Sequence, residues 1–299
     1  MAGGFSAIDL SQLPAPDMVQ AVDYEAELTA MLADLRTRAP EFDALVESDP
    51  AYKLLELAAY FRVLTLQRVN DGGRAVMPAS ATGADLDQIA ARYGVARLTI
   101  DPGDPLALPP LLPVMETDTD LRRRMLLSFE GLSTAGPVGA YIFHALGADP
   151  DIADASVQSP APGEVLVTVL SRTGDGSAAP GVLAAALAAL SSDDVRPLCD
   201  QVAVQAAEII TYAVSATLTV YPGPDSGVVR EAAETAVRAY AEAQHRLGRD
   251  VTLSGLYAAL HQPGVQKVTL NAPAADLSIH DGQAAYCTGT TVQLGGVNV

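Results

Sequence analysis

Positive charge is scarce in this sequence. Its 299 residues hold 18 Lys and Arg against 36 Asp and Glu, a formal balance of −18 with histidine neutral. Nucleic-acid affinity comes mostly from cations that displace counterions from phosphates, so this deficit argues against DNA or RNA as the main ligand. An anionic membrane surface is disfavoured on the same ground. Charge of either sign is thin as well, at 18% of residues beside 49% hydrophobic, where soluble domains typically carry about 25%. More of this surface than usual is therefore expected to be apolar or neutral. Long apolar runs are missing: none approaches the roughly 18 residues of a membrane span. The start, Met1-Ala-Gly-Gly-Phe5, lacks the basic and apolar regions of a signal peptide. A soluble chain made in the cytoplasm is the expectation. Cysteine is nearly absent too. Cys199 and Cys287 fit no zinc spacing, and one bridge would be no framework for so long a chain, so both are expected to be reduced.

What is present begins with acid. The first 50 residues contain ten carboxylates (Asp9, Asp17, Asp23, Glu25, Glu27, Asp34, Glu41, Asp43, Glu47 and Asp49) and two cations, Arg36 and Arg38. Such a density reads as a solvated helix face, with an acidic docking surface as the sharper alternative. Asp49-Pro50 is a helix start, with the Asp carboxylate expected to accept from first-turn amides. The helix is predicted from about 50 to 70. Positions 54, 55, 58, 61, 65, 66 and 69 trace one mostly apolar stripe, while Leu57, Tyr60 and Leu64 fall on another side. Apolar groups thus cover far more than the usual third of the circumference. The helix requires contacts on two sides, either inside its own domain or in a bundle completed by another chain.

A small helix is predicted near 84 to 93, with Gly94 as its left-handed terminator. Five prolines between 101 and 113 mark a linker and candidate hinge. Beyond it come helices near 116–129, 136–146, 180–190, 226–247 and 253–261, and strands near 164–170, 202–204, 210–220 and 265–270. The strand at 210 to 220 alternates cleanly, with Ile210, Tyr212, Val214, Ala216, Leu218 and Val220 on one face. Tyr221-Pro-Gly-Pro224 turns the chain after it. An internal echo pairs Tyr141 to Pro160 with Tyr257 to Pro273, each beside a strand followed by an Ala-rich helix. The fold class expected is α+β. A mainly helical region spans 1–100 and a proline-rich linker 101–115. Two small α/β subdomains built from related halves follow at 116–206 and 207–273, with a β or extended tail at 274–299. That tail is a candidate to pair with a sheet edge on another chain.

Candidate chemistry is sparse. His144, His245, His261 and His280 lack the paired spacing of a metal site and are expected to be structural. Glu116, Asp118 and Asp120 put three carboxylates in five residues, which can hold a hard cation. Arg122, Arg123 and Arg124 follow at once, so capping and guanidinium pairing are favoured over metal binding. Gly174-Asp-Gly176 lacks both phosphate-loop patterns and reads as a turn. No nucleophile elbow occurs.

A set of collinear motifs then points to a family. Glu47-Ser-Asp-Pro-Ala-Tyr-Lys-Leu-Leu-Glu56, Gln67-Arg-Val-Asn70 with Arg74-Ala-Val-Met77, Asp85-Leu-Asp87 and Tyr93-Gly-Val-Ala-Arg-Leu98 resemble the N-terminal half of the baseplate assembly protein J family of contractile-tailed phages. The likeness continues through Glu116-Thr-Asp-Thr-Asp120, Phe129-Glu-Gly-Leu-Ser133, Asp194-Val-Arg-Pro197, Tyr221-Pro-Gly-Pro224 and Gln244-His-Arg-Leu-Gly-Arg-Asp250, and the opening Ile8 to Pro16 fits too. It spans nearly the whole chain to about Asp281.

The resemblance implies a structural wedge subunit in the virion's tail baseplate, assembled in the host cytoplasm. Two copies would associate with one tail protein I-like partner through a helical bundle. Six such wedges would ring the central hub and spike beside the sheath-initiating wedge protein, with a part in triggering sheath contraction. Tailocins and type VI secretion systems use similar subunits. No cofactor, nucleic acid, membrane or small-molecule substrate is implied. The partner-contact residues expected on the 50–70 helix are Leu54, Leu57, Tyr60, Phe61 and Leu64. The alternative is a metal-dependent envelope-degrading enzyme using Asp118 and Asp120.

Overall fold

In the computed structural model, residues 21–223 and 225–298 are described. Asp9, Asp17, the run from Ile8 to Pro16 and Pro224 of the turn lie outside them. The chain is an α+β protein, and its described residues form two compact units. One comprises residues 21–97 with Thr117–Met125; the other comprises Leu98–Glu116 with residues 126–298.

The first unit is helical. Helix α1 (Tyr24–Arg38) starts at Asp23, whose side chain accepts from the amides of Glu25 and Ala26, and it ends with Arg36 and Arg38 at the negative end of the helix dipole. Helix α2 (Pro50–Ala75) packs against it. The expected cap on α2 is not made. The Asp49 carboxylate turns back to accept from the Val46 amide at 2.9 Å, and no side chain caps the first turn. Helix α3 (Gly83–Ala91) is followed by Gly94 at φ +70°, the left-handed terminator that a residue without Cβ supplies cheaply. Leu86, Ala90, Val95, Leu121 and Met125 of this unit are buried.

In the second unit, the proline-rich stretch is folded back on itself. Strands β1 (Thr99–Asp101) and β2 (Val114–Met115) pair antiparallel, and Asp104 and Leu111 bridge further out, so residues 99–115 form a two-stranded arm. Helix α4 (Asp118–Leu127) belongs to the first unit as far as Met125, and the second unit continues with α5 (Val138–Ala148), then β3 (Ile152–Gln158), β4 (Glu164–Ser171), α6 (Pro180–Leu190) and β5 (Gln201–Ala206). Strand β3 was not foreseen in the sequence. It pairs antiparallel with the central β4, and β5 pairs with β4 in parallel across α6. Val167 and Val169 are fully buried against Ala145, Leu146 and Ala186.

A second three-stranded sheet follows, with β6 (Glu208–Val220) at its centre, β7 (Val265–Ala272) antiparallel on one side and β8 (Gln283–Val297) parallel on the other. Helices α7 (Ser226–Gln244) and α8 (Leu253–Leu260) cover one face. The period-two alternation is realised there: Tyr212, Val214, Ala216, Leu218 and Val220 are all buried, together with Val229, Ala233 and Val237 of α7. The tail is a strand of this chain's own sheet: β8 pairs with β6 along its whole length on one edge.

The two sheet subdomains share one architecture with two pieces exchanged in order. Each has a central strand, one antiparallel and one parallel neighbour, and two helices in contact with each other. In the first, helix-then-antiparallel-strand (α5–β3) precedes central-strand-then-helix (β4–α6); in the second, β6–α7 precedes α8–β7. The segments in the sequence echo are these exchanged pieces. The subdomains are also joined. The Ala207 amide donates to Val169 O at 3.0 Å, Arg246 donates to Ala153 O at 2.6 Å, and the Leu247 amide donates to the buried Asp154 carboxylate at 3.1 Å.

Candidate functional site

The residues expected to meet a partner lie on α2. Its buried side runs through Leu55, Ala59, Val63, Leu66 and Asn70, of which Ala59 is fully buried. Across this seam, Glu27 of α1 pairs with Arg62, and the Tyr24 hydroxyl donates to Glu56 O at 3.5 Å. Among the described residues, the apolar groups elsewhere on α2 are uncovered. Leu54 is 67% exposed, Leu57 51%, Tyr60 51%, Phe61 58% and Leu64 41%. At 100° per residue, their mean direction lies about 160° round the helix from the buried seam. Helix α2 is therefore apolar on opposite sides, with α1 on one and no described residue of its own unit burying the other. The division of faces differs from the one read in the sequence. Leu54 and Phe61, assigned there to the same stripe as Leu55 and Leu66, sit with Leu57 and Leu64 on the outer side. The inner side is instead built around a small residue, Ala59, and a polar one, Asn70.

Those outer groups are a substantial driving force. Their exposed fractions amount to roughly two and a half whole side chains, so covering them contributes about 4–8 kcal/mol. Phe61 and Tyr60 meet edge to face with ring centroids 5.7 Å apart, which fixes an aromatic ridge on the helix. Residues 57–61 carry no charge.

The carboxylate cluster is built differently from a metal site. Asp118 pairs with Arg97 at 2.7 Å and accepts from the Gly83 amide at 3.1 Å, while Arg97 also binds Asp87 at 2.7 Å. Burial alone raises the Asp118 pKa, but the hydrogen bonds from Arg97 and Gly83 outweigh it and hold the carboxyl below its ordinary range. The guanidinium that Asp118 pairs with is therefore Arg97, far off in sequence, and not one of the adjacent triplet. Arg122 donates to the carbonyls of Pro78 and Ala81 at 2.7 Å each, and Arg124 to that of Ala96 at 3.2 Å. These arginines clamp the backbone around α3 onto α4. Asp120 is buried, with its amide donating to the Thr117 hydroxyl at 3.2 Å. Among the described residues, no group of three or more His, Cys, Asp or Glu is placed to hold a metal ion.

The remaining sequence candidates are dispersed. His144 Nε2 lies 3.1 Å from Gly131 O, His245 Nδ1 lies 2.7 Å from Ala285 O, and His261 ends α8. Gly174 and Gly176 form the turn after β4, where the Ser171 amide donates to Gly176 O. Cys199 and Cys287 are free thiols. Sequence reasoning missed one surface: Leu106, Leu108 and Leu112 stand 89%, 97% and 82% exposed on the proline-rich arm. Four leucines among its prolines, with no charge between Pro105 and Pro113, were the available signal.

Comparison with known proteins returns matches along the chain. Residues 47–104 match the Baseplate J-like N-terminal domain, residues 133–206 the Baseplate J-like central domain, and residues 212–293 the Baseplate J-like protein C-terminal domain. The sequence is 49% identical over 296 residues to Baseplate protein J of Escherichia phage P2, covering 97% of this chain and 98% of that protein. Among solved structures, a chain in the cryo-EM structure of the anti-feeding prophage (AFP) baseplate, 6-fold symmetrised, aligns with a TM-score of 0.39 at 18% identity. That alignment takes in 62% of this chain and 44% of the AFP baseplate chain.

Proposed function

The chain belongs to the baseplate J-like family, and on that premise we propose that it is a structural, non-catalytic subunit of a contractile-tail baseplate wedge. Two copies associate with one tail protein I-like partner, and six such wedges ring the hub and spike beside the sheath-initiating wedge protein. The subunit is assembled in the host cytoplasm, resides in the virion and takes part in the rearrangement that triggers sheath contraction. Its contacts are with proteins, without nucleic acid, membrane or small-molecule ligand.

The observation that carries this reading is the outer side of α2. Leu54, Leu57, Tyr60, Phe61 and Leu64 present an apolar ridge opposite the seam with α1, as a helix does when a bundle is completed by other chains. A low charged fraction suits permanent interfaces, whose cores are depleted of charge. The competing enzyme reading requires Asp118 to be available to a cation, yet its oxygens are engaged by Arg97 and the Gly83 amide.

Co-expression with a tail protein I-like subunit, followed by mass measurement of the purified complex, tests the proposal. A complex of two copies of this chain with one partner is expected. A chain recovered as a lone monomer beside its partner overturns it.

A further inference from the structure

Strand β8 is an edge strand with unusual composition. Its inner edge pairs with β6 throughout, while its outer edge is met, among the described residues, at Ala284 by Leu247, at the Gln283 carbonyl by the Gly248 amide and at the Ala285 carbonyl by His245 Nδ1. From Tyr286 onward the outer backbone groups have no strand of the described residues beside them. Exposed edges are ordinarily guarded by charge, proline or short length, because a free row of amides and carbonyls is a template for another strand. The opposite edge of the same sheet follows that rule: β7 is 8 residues long and carries Lys267. Strand β8 does not follow it. Its 15 residues contain no Asp, Glu, Lys or Arg in a chain that carries 54 charged side chains.

A groove of about 480 Å³ lies between β8 and α7, lined by Arg238, Glu242 and His245 on the helix side and by Tyr286, Cys287 and Thr290 on the strand. In the middle of its strand wall the register shifts, so that Cys287 and Gly289 face successive residues of β6. A Cβ added at Gly289 meets nothing within 4 Å, so the fold leaves that spot open. Arg238 reaches Thr290 at 3.1 Å and Glu242 lies one helical turn further along α7. Arg238 also pairs with Glu234 one turn back on α7, so its charge is met within the chain.

We propose that the outer edge of β8 is a second self-association surface, where two copies of this chain pair antiparallel about a two-fold axis through the Thr288–Gly289 shift. The occupant is a second copy because the edge complements itself. A neutral strand meets a neutral strand without the repulsion that a chain of net charge −18 otherwise imposes. A self-complementary patch is what an isologous contact requires. The pairing joins two three-stranded sheets into one of six strands and places Cys287 opposite Thr290 of the second copy. The proposal deepens the reading of the chain as a self-associating subunit, and rests on it.

The test uses the full chain with Cys199→Ser and Thr290→Cys. Within one chain the register sets residues 287 and 290 opposite Tyr212 and Val214, about 7 Å apart and at the limit of a disulfide. Non-reducing electrophoresis therefore separates a bridge inside one chain, which runs as a monomer, from a bridge between two. Mild oxidation is expected to give a covalent dimer whose linked peptides contain Cys287 and the new cysteine at 290. Adding Gly289→Lys, which the open space at that position accommodates, is expected to reduce the cross-linked fraction at least tenfold with an unchanged melting curve. Absence of the cross-link, or its persistence with Gly289→Lys, overturns the proposal. So does protection of the β8 amides from exchange that arises only on adding a different baseplate protein. Failure of the α2 reading shows separately, as retention of the tail protein I-like partner by a Leu57→Glu, Phe61→Glu variant that still forms the β8 cross-link.

Discussion

Replacing Leu57 and Phe61 together with glutamate isolates the outer side of α2 from the fold beneath it. Both side chains are more than half exposed in this chain, so the variant loses little intramolecular burial, and its stability should stay within about 0.5 kcal/mol of the parent. Partner binding should respond very differently. Covering the two exposed halves contributes about 2–3 kcal/mol. Forcing carboxylates into an apolar contact adds a cost of at least about 2 kcal/mol. A total of about 4–6 kcal/mol weakens the complex a thousandfold or more. Titration calorimetry with the tail protein I-like partner reads the affinity, and thermal melting by circular dichroism reads the fold. Binding retained within threefold would refute the reasoning, as would a collapse of the melting temperature, which would show that the two residues support the chain's own structure.

Three further outcomes follow from the same structure. Leu218→Ala empties a fully buried position at the centre of β6 and should cost about 2–5 kcal/mol in denaturant unfolding, whereas Leu108→Ala on the exposed arm should leave the unfolding midpoint unmoved. Asp118 has a pKa held below its unfolded value by Arg97 and Gly83. Its contribution is therefore complete above the ordinary carboxylate range and fades as pH falls through the lowered pKa. Asp118→Asn should cost about 1–2 kcal/mol at pH 7, discounted for partial exposure, and the gap to the parent should narrow in strong acid. Serine at Pro105, Pro110 and Pro113 should alter baseplate assembly or sheath triggering, scored by electron microscopy of particles; particles that assemble and contract normally would exclude a hinge role for the arm.

Legibility in the sequence followed the source of each element's stability. Strand β6 and helix α7 were readable because their own side chains carry the periodicity of the core they build. Strand β3 was not readable, since Asp154 and Ser156 interrupt it. Asp154 is buried where the amides of Ala155 and Leu247 meet it, and the second of these lies 93 residues away. The arm at 99–115 was hidden by prolines that usually deny a strand. On α2 the presence of two apolar sides was plain, but their boundary was not. Helices that approach closely bury small residues such as Ala59, which a search for large apolar groups passes over. The pairing partner of Asp118 was out of reach for a similar reason: Arg97 and Gly83 are brought to it by tertiary structure, while Arg122 and Arg124, adjacent in sequence, reach backbone carbonyls of the 78–96 stretch.

The central claim is that the outer side of α2 is a contact surface and not a solvent face. Side-chain footprinting of Leu54, Leu57, Phe61 and Leu64, compared between the free chain and assembled baseplates, tests it most directly. Strong labelling in the free chain and protection in the particle is the predicted result; equal labelling in both would contradict it.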